Sequence, residues 1–216
     1  MSPRSAEVNE ELREQSRRRI LTSALELFAE LGYTQATVSA IAARAEVARG
    51  LVSYYFPTKD ALLEALLTEV MFELFGLAVP LETETTPDQR LAGVIDRVLR
   101  AAHQTVGVQR LILGLMLQPA TREVFARVEA ANDAQVTVFE DHLRTMFADR
   151  GAADPALEEA LLRSALEGVV FKLAVYPETY PLEAVRRRLF EMYGLPVERP
   201  LLDGPDAPPA RLRVRT

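Results

Sequence analysis

Residues 37–60 read TVSAIAARAEVARGLVSYYFPTKD, and how this stretch folds decides the reading of the whole chain. Thr37 carries a hydroxyl able to accept from the orphan amides of a first helical turn, so a helix is expected to start there. Val38, Ile41, Ala42 and Ala45 recur at helical spacing and give an apolar face about two turns long. The pattern breaks at Glu46–Val47, and a second periodicity begins. At about 100° per residue, Ala48, Leu51, Val52 and Tyr55 share one side of a second helix, with Arg49, Gly50, Ser53 and Tyr54 on the other. That outer side is small, polar and rich in donors, which suits a surface laid against something anionic. Pro57 cannot donate inside a helix, so it punctuates, and Thr58-Lys59-Asp60 restarts the chain into Ala61–Leu67. Two short helices joined by a brief turn make a helix-turn-helix pattern. The pattern also fits a pair of packed helices in any all-α protein.

The residues around it go further. Arg19-Ile20-Leu21 leads through Ala24, Leu27, Phe28, Gly32 and Tyr33 to Thr37-Val38 and Ile41-Ala42. Ala45, Val47, Tyr55-Phe56-Pro57, Lys59 and Leu62-Leu63 continue the series. In order and spacing this resembles the DNA-binding domain of the tetracycline-repressor (TetR) family of bacterial regulators. The resemblance implies an all-α protein. Its N-terminal three-helix DNA-binding domain would span 9–60, and a C-terminal helical ligand-binding and dimerisation domain 61–194. Beyond them lies a Pro-rich tail, 195–216, expected to be mostly disordered.

It also implies a sequence-specific regulator: a homodimeric repressor on a palindromic double-stranded operator, released by a small apolar ligand. Ligand would favour a wider separation of the recognition helices, transmitted through the fourth helix. In that reading Thr37, Tyr54, Tyr55 and Lys59 contact phosphate, while Arg49 and Ser53 read bases, Arg49 being suited to guanine O6 and N7. Gly50 lets the helix approach closely. Helical geometry alone points Tyr55 inward, whereas the family uses that position for phosphate; a tyrosine can pack its ring and keep its hydroxyl at the rim. Two residues depart from the family pattern. Glu46 stands where the family usually has the turn glycine, and Ser53 where many members carry a tyrosine. These departures support a rival reading, a non-regulatory helical small-molecule-binding protein that has lost operator affinity.

Composition narrows the field. There is no cysteine, which excludes disulfides, thiol nucleophiles and Cys-based zinc sites. No apolar run approaches the roughly 18 residues a membrane span needs, and the N-terminus has no secretory pattern, so a cytoplasmic protein is expected. The net charge of −6 argues at first against a nucleic-acid partner, but its distribution does not. Residues 1–60 hold eight Lys+Arg and eight Asp+Glu, whereas 61–216 hold 17 and 23. Binding would rest on a few placed donors rather than on a broad positive field. Arg17, Arg18 and Arg19 read as a solvated helix end, with phosphate or minor-groove contact as the alternative. The two histidines, His103 and His142, are far apart, and no hydrolase, P-loop or dinucleotide motif is present. No enzyme activity, cofactor or metal is expected.

Along the chain, the 3.6-residue periodicity and its caps predict about nine helices. The first runs from Asn9 to Leu31, with Ile20, Ala24, Leu27, Phe28 and Leu31 as its stripe and Gly32 as its stop. Thr86-Pro87-Asp88 opens the fifth, and the apolar run LILGLML predicts a buried sixth over 108–118. A long seventh would cover 120–150, an eighth 155–176 and a ninth 182–193. Candidate ligand contacts are Phe72, Phe75, Leu99, His103, Met116, Phe125, Asn132, Phe139 and Phe171, with Leu113 and Val128 beside them, although apolar stripes serve packing first. The polar His103 and Asn132 stand out, because an inward polar group must find a partner. The wide apolar arc of the eighth helix, with Leu189 of the ninth, predicts a dimer interface of Leu162, Ala165, Leu166, Val169, Val170, Leu173 and Leu189. The small Ser164, Ala165 and Gly168 would allow close approach.

Overall fold

The computed structural model describes residues 3–197 and 200–202. All regular structure among them is helical, in ten helices rather than nine. These are α1 (Pro3–Gln35), α2 (Val38–Arg44), α3 (Arg49–Tyr55), α4 (Lys59–Gly76), α5 (Pro87–Gln104), α6 (Val106–Leu117), α7 (Pro119–Ala131), α8 (Asp133–Asp149), α9 (Pro155–Val175) and α10 (Leu182–Met192). The extra helix comes from the expected long seventh, which is broken at Asn132 (φ −115°, ψ 18°). Asn is a poor helix former, and its carbonyl instead accepts from Gln135 and Val136 as α8 restarts, with Asp133 in the favourable first turn. The first helix begins at Pro3, not Asn9, and Gly32 interrupts it as expected (φ 78°).

The chain forms two compact units. The first holds residues 3–70 and 114–130, the second 71–113 and 131–202. The first three turns of α4 and nearly all of α7 therefore belong with α1–α3. The core of this unit is built from Ile20, Leu21, Ala24, Leu27 and Phe28 of α1, Ile41 and Ala42 of α2, Val52 of α3, Phe56, and Leu62, Leu63, Leu66 and Leu67 of α4. Leu31, the last member of the expected stripe, is exposed.

In the second unit, α5, α9 and α10 enclose one core: Leu91, Ile95, Leu99, Leu162, Leu166, Val169, Leu173, Leu189 and Phe190. The caps are those the sequence announced. Thr86 accepts from Gln89 N–H while the Gln89 side chain takes the Thr86 amide, a reciprocal capping box ahead of Pro87. Asp154 accepts from Leu157 N–H ahead of Pro155. The α4–α5 connection is fastened to α5 by Arg97, which holds the Leu77 carbonyl at 2.8 Å and pairs with Glu84. A Cβ at Gly93 would overlap the Glu84 carboxylate and push it from its place beside Arg97. This explains a residue that otherwise costs a helix interior about 1 kcal/mol.

One expectation fails here. α6 is not buried throughout: Leu111 and Leu115 face inward, whereas Met116 is exposed and Leu117 is 79% exposed. The domain division falls within α6, between Leu113 and Gly114. Just after α10, the described residues pack inward. Leu195 and Leu201 are both buried in the α5/α9/α10 core, Leu201 to 1% exposure. The Leu201 amide donates to Glu183 Oε2 at 2.9 Å and its carbonyl accepts from Arg100 at 3.2 Å. Residues 203–216, with Arg211, Arg213 and Arg215, lie outside the described residues.

Candidate nucleic-acid interface

Thr37 caps α2 as its sequence position predicts, accepting from Ala40 N–H at 3.1 Å. Its hydroxyl hydrogen remains available to donate. At the far end of α2, Val47 N–H reaches the Ala42 carbonyl (3.0 Å) and Glu46 N–H the Ala43 carbonyl (3.2 Å). This pair of bonds is a Schellman cap, which needs a left-handed residue at its second-last position. The molecule uses the same cap after α8 and after α10, with Gly151 (φ 78°) and Gly194 (φ 64°) in that position. After α2 the position is Glu46, at φ 54°, the one positive-φ non-glycine among the described residues. The turn geometry inferred from the sequence therefore holds, with its side-chain strain.

α3 follows and presents Arg49, Gly50, Ser53 and Tyr54 to solvent, with Tyr54 70% exposed. Inward, only Val52 is fully buried, Leu51 and Tyr55 are half-buried, and Ala48 is exposed because it precedes the helix as its cap. Arg49 makes no hydrogen bond or ion pair among the described residues. By contrast, Arg17 binds Glu69 (2.7 Å), Arg44 binds Glu30 (2.7 Å) and Arg19 reaches the Glu46 carbonyl (3.5 Å). Arg17 thus serves the fold, while Arg19 stays exposed.

Two of the expected phosphate contacts have internal duties. The Tyr55 hydroxyl donates to the Arg13 carbonyl at 3.1 Å. Its ring stands edge-on to Tyr54, centroids 5.3 Å apart. Lys59 Nζ donates to the carbonyls of Ala36 (2.9 Å) and Thr34 (3.3 Å) and lies 4.3 Å from the centre of the Tyr33 ring. Desolvation pulls its pKa below the ordinary lysine value, against the opposing pull of Asp60. Two of the three ammonium donors are occupied, which leaves one. The Tyr33 hydroxyl donates to Asp60, and burial together with that bond raises its pKa.

The expected ligand contacts are divided between the two units. Phe75 and Phe139 stack at 5.0 Å in the second unit, Leu99 is sealed in the core, and Asn132 is buried. His103, Phe72 and Phe171 are exposed; in the first unit, Met116 is exposed and Phe125 half-buried. A cavity of about 360 Å³ in the second unit is lined instead by Pro80, Arg90, Val138, Asp141, His142, Thr145, Met146 and Asp149.

The expected dimer residues pack within the chain. Leu162, Leu166, Val169, Leu173 and Leu189 are buried in the chain's own core, and Ala165 and Val170 are half-buried against it. The face of α9 left open is Leu157, Leu161, Ser164, Gly168, Phe171 and Val175, at alternating steps of four and three. That alternation was available in the sequence as a signal, but the inner stripe of the same helix is equally apolar.

Comparison with known proteins agrees with the geometry. The model of the bacterial regulatory proteins of the tetR family matches residues 20–66. HTH-type transcriptional regulator BetI 1 of Chromohalobacter salexigens is 26% identical over 119 residues, 54% of this chain and 59% of that one. HTH-type transcriptional regulator BetI of Escherichia coli is 36% identical over 86 residues, 37% of this chain and 43% of that one. Both matches take in less than two thirds of the relative's length. The transcriptional regulator FadR from Bacillus subtilis, solved in complex with stearoyl-CoA, superposes with a TM-score of 0.63 at 22% identity, covering 81% of this chain and 96% of that one. That likeness concerns the fold. The helix-turn-helix, its left-handed turn and the matched segment agree, and residues 20–66 match the DNA-binding domain of the bacterial regulatory proteins of the tetR family.

Proposed function

We propose that this protein is a homodimeric transcriptional repressor that binds a two-fold-symmetric operator and is released by a small apolar ligand. The observation that carries the reading is the outer face of α3, where Arg49 makes no hydrogen bond or ion pair among the described residues and stands beside Gly50, Ser53 and exposed Tyr54. An unpaired guanidinium on a helix slim enough to enter the major groove is placed to pair with guanine O6 and N7. Thr37, Tyr54 and the third donor of Lys59 supply phosphate contacts around it. Residues 9–60 carry this reader, and the helices beyond serve self-association and ligand response.

The second copy is expected against the open face of α9. Leu157, Leu161, Phe171 and Val175 form an exposed apolar seam, and Ser164 and Gly168 at its centre leave room for close helix approach. Two readers on a two-fold axis would address half-sites about 34–36 Å apart, or a multiple of that. The rival reading, a helical ligand-binding protein without operator affinity, has Glu46 and the neutral charge of residues 1–60 in its favour. A mobility-shift experiment on DNA selected from the host genome separates them. Specific retardation at physiological salt supports the repressor, and uniform weak binding to every sequence supports the rival.

A further inference from the structure

α7 has no part in the helix-turn-helix, yet it lies in the same compact unit as α1–α3. It buries Thr121, Val124 and Val128 along one face. From another it extends Arg127, whose Nε donates to Glu64 Oε1 at 2.7 Å and whose Nη2 lies 3.8 Å from Asp60 Oδ2, both on α4. The other oxygen of Asp60 accepts the Tyr33 hydroxyl. The Tyr33 ring lies under Lys59 Nζ, and that ammonium holds the carbonyls of Thr34 and Ala36. These two residues stand immediately before Thr37, the cap of α2. A continuous series of charge-assisted contacts thus runs from α7 to the point where the helix-turn-helix begins.

We propose that Arg127 is a positioning residue for DNA binding. By holding Asp60 on its outer oxygen it keeps the carboxylate turned toward Tyr33, and so fixes the 34–36 turn from which α2 and then α3 are hung. The proposal rests on the DNA-binding reading for its purpose, though not for its mechanics. Arg127 is half exposed, so its ion pairs add little to global stability. Orientation is another matter, because the 34–36 turn is short, and a small rotation at its start displaces the outer face of α3.

The variant Arg127→Ala tests this in two ways. In the free chain, hydrogen exchange should quicken at Ala36, Ala40 and Ile41, whose amides are bonded to Gly32 and Thr37, while amides of α5 and α9 keep their protection. Unchanged exchange at those three would overturn the proposal whether or not the protein binds DNA. On selected operator DNA, affinity should fall between about threefold and thirtyfold for the dimer, with the urea midpoint of the free chain unchanged. The slope of log affinity against log salt should also stay as in the parent, since no phosphate contact is lost. The conservative variant Arg127→Lys, which keeps a cation beside Asp60, should retain most of the affinity. Parental affinity in Arg127→Ala, a reduced salt slope, or a lysine variant as weak as the alanine one would each contradict a positioning role. If the parent itself selects no DNA, the repressor reading fails, and the exchange result alone decides the positional claim.

Discussion

α3 and α9 both carry one face inward and one outward, and they do so with opposite chemistry. The seven residues of α3 bury little beyond Val52 and turn Arg49, Gly50, Ser53 and Tyr54 outward. The twenty-one residues of α9 bury Leu162, Leu166, Val169 and Leu173, then expose a second apolar stripe from Leu157 to Val175. Water solvates the outer face of α3 without penalty, so that face can wait for an intermittent anionic partner. Leaving the outer stripe of α9 in water costs roughly 25 cal/mol per Å² of apolar surface, which favours permanent cover. Under the proposed function, one helix suits an encounter and the other assembly.

The largest test of that contrast compares neighbours on α9. Leu162→Ala should cost about 2–5 kcal/mol of stability in urea denaturation, because it empties part of a sealed core. Leu161→Glu, one residue away on the exposed face, should leave a folded monomer by sedimentation, with operator binding greatly weakened. A folded dimer in the presence of that charge would break the comparison. Next in size, Arg49→Ala should cost about 1–3 kcal/mol of specific binding and relax preference at one base pair per half-site. An affinity loss without altered base preference would remove Arg49 as a reader. Lys59→Ala is expected to cost about 1–2 kcal/mol of folding stability, since its ammonium secures two backbone carbonyls. Operator affinity should fall alike on all sequences; a thermal melt identical to the parent's would show the lysine to be idle in the fold. Smallest is Glu46→Gly, which relieves a left-handed non-glycine residue and should add up to about 1 kcal/mol of stability. It also removes a negative charge just ahead of α3, so binding should tighten.

The helix-turn-helix was legible because its signals are local and mutually consistent. Thr37 caps, the apolar residues of α2 fall at helical spacing, and Glu46 occupies a position whose backbone demand is the same as that of Gly151 and Gly194. The outer face of α3 could be read from the contrast of polar against apolar residues. α9 offers no such contrast: Leu161 and Leu162 are alike in hydrophobicity, and only the packing of α5 and α10 decides which one is enclosed. The break at Asn132 was hidden inside an otherwise uninterrupted helical pattern. The ion pairs of Arg127 join residues 63 or more apart, a separation at which no periodicity speaks. At the start of the Pro-rich segment after α10, proline content hid the seats of Leu195 and Leu201 in the core.

That segment sets a schedule for biosynthesis. Arg100 and the Leu201 carbonyl it holds are 101 residues apart. At roughly 5–20 residues per second, a ribosome leaves the guanidinium and the apolar seat beside it open for about 5–20 s. Through that interval Leu91, Ile95 and Leu99 have already been made, but one of the leucines that will cover their core has not. The second unit therefore reaches its final packing only after nearly all of its own sequence has been translated, long after α1–α3 have had the chance to fold. A stop codon just past α10 would spare every helix and still leave the nascent protein with an uncovered leucine seat, a natural mark for chaperones and proteases.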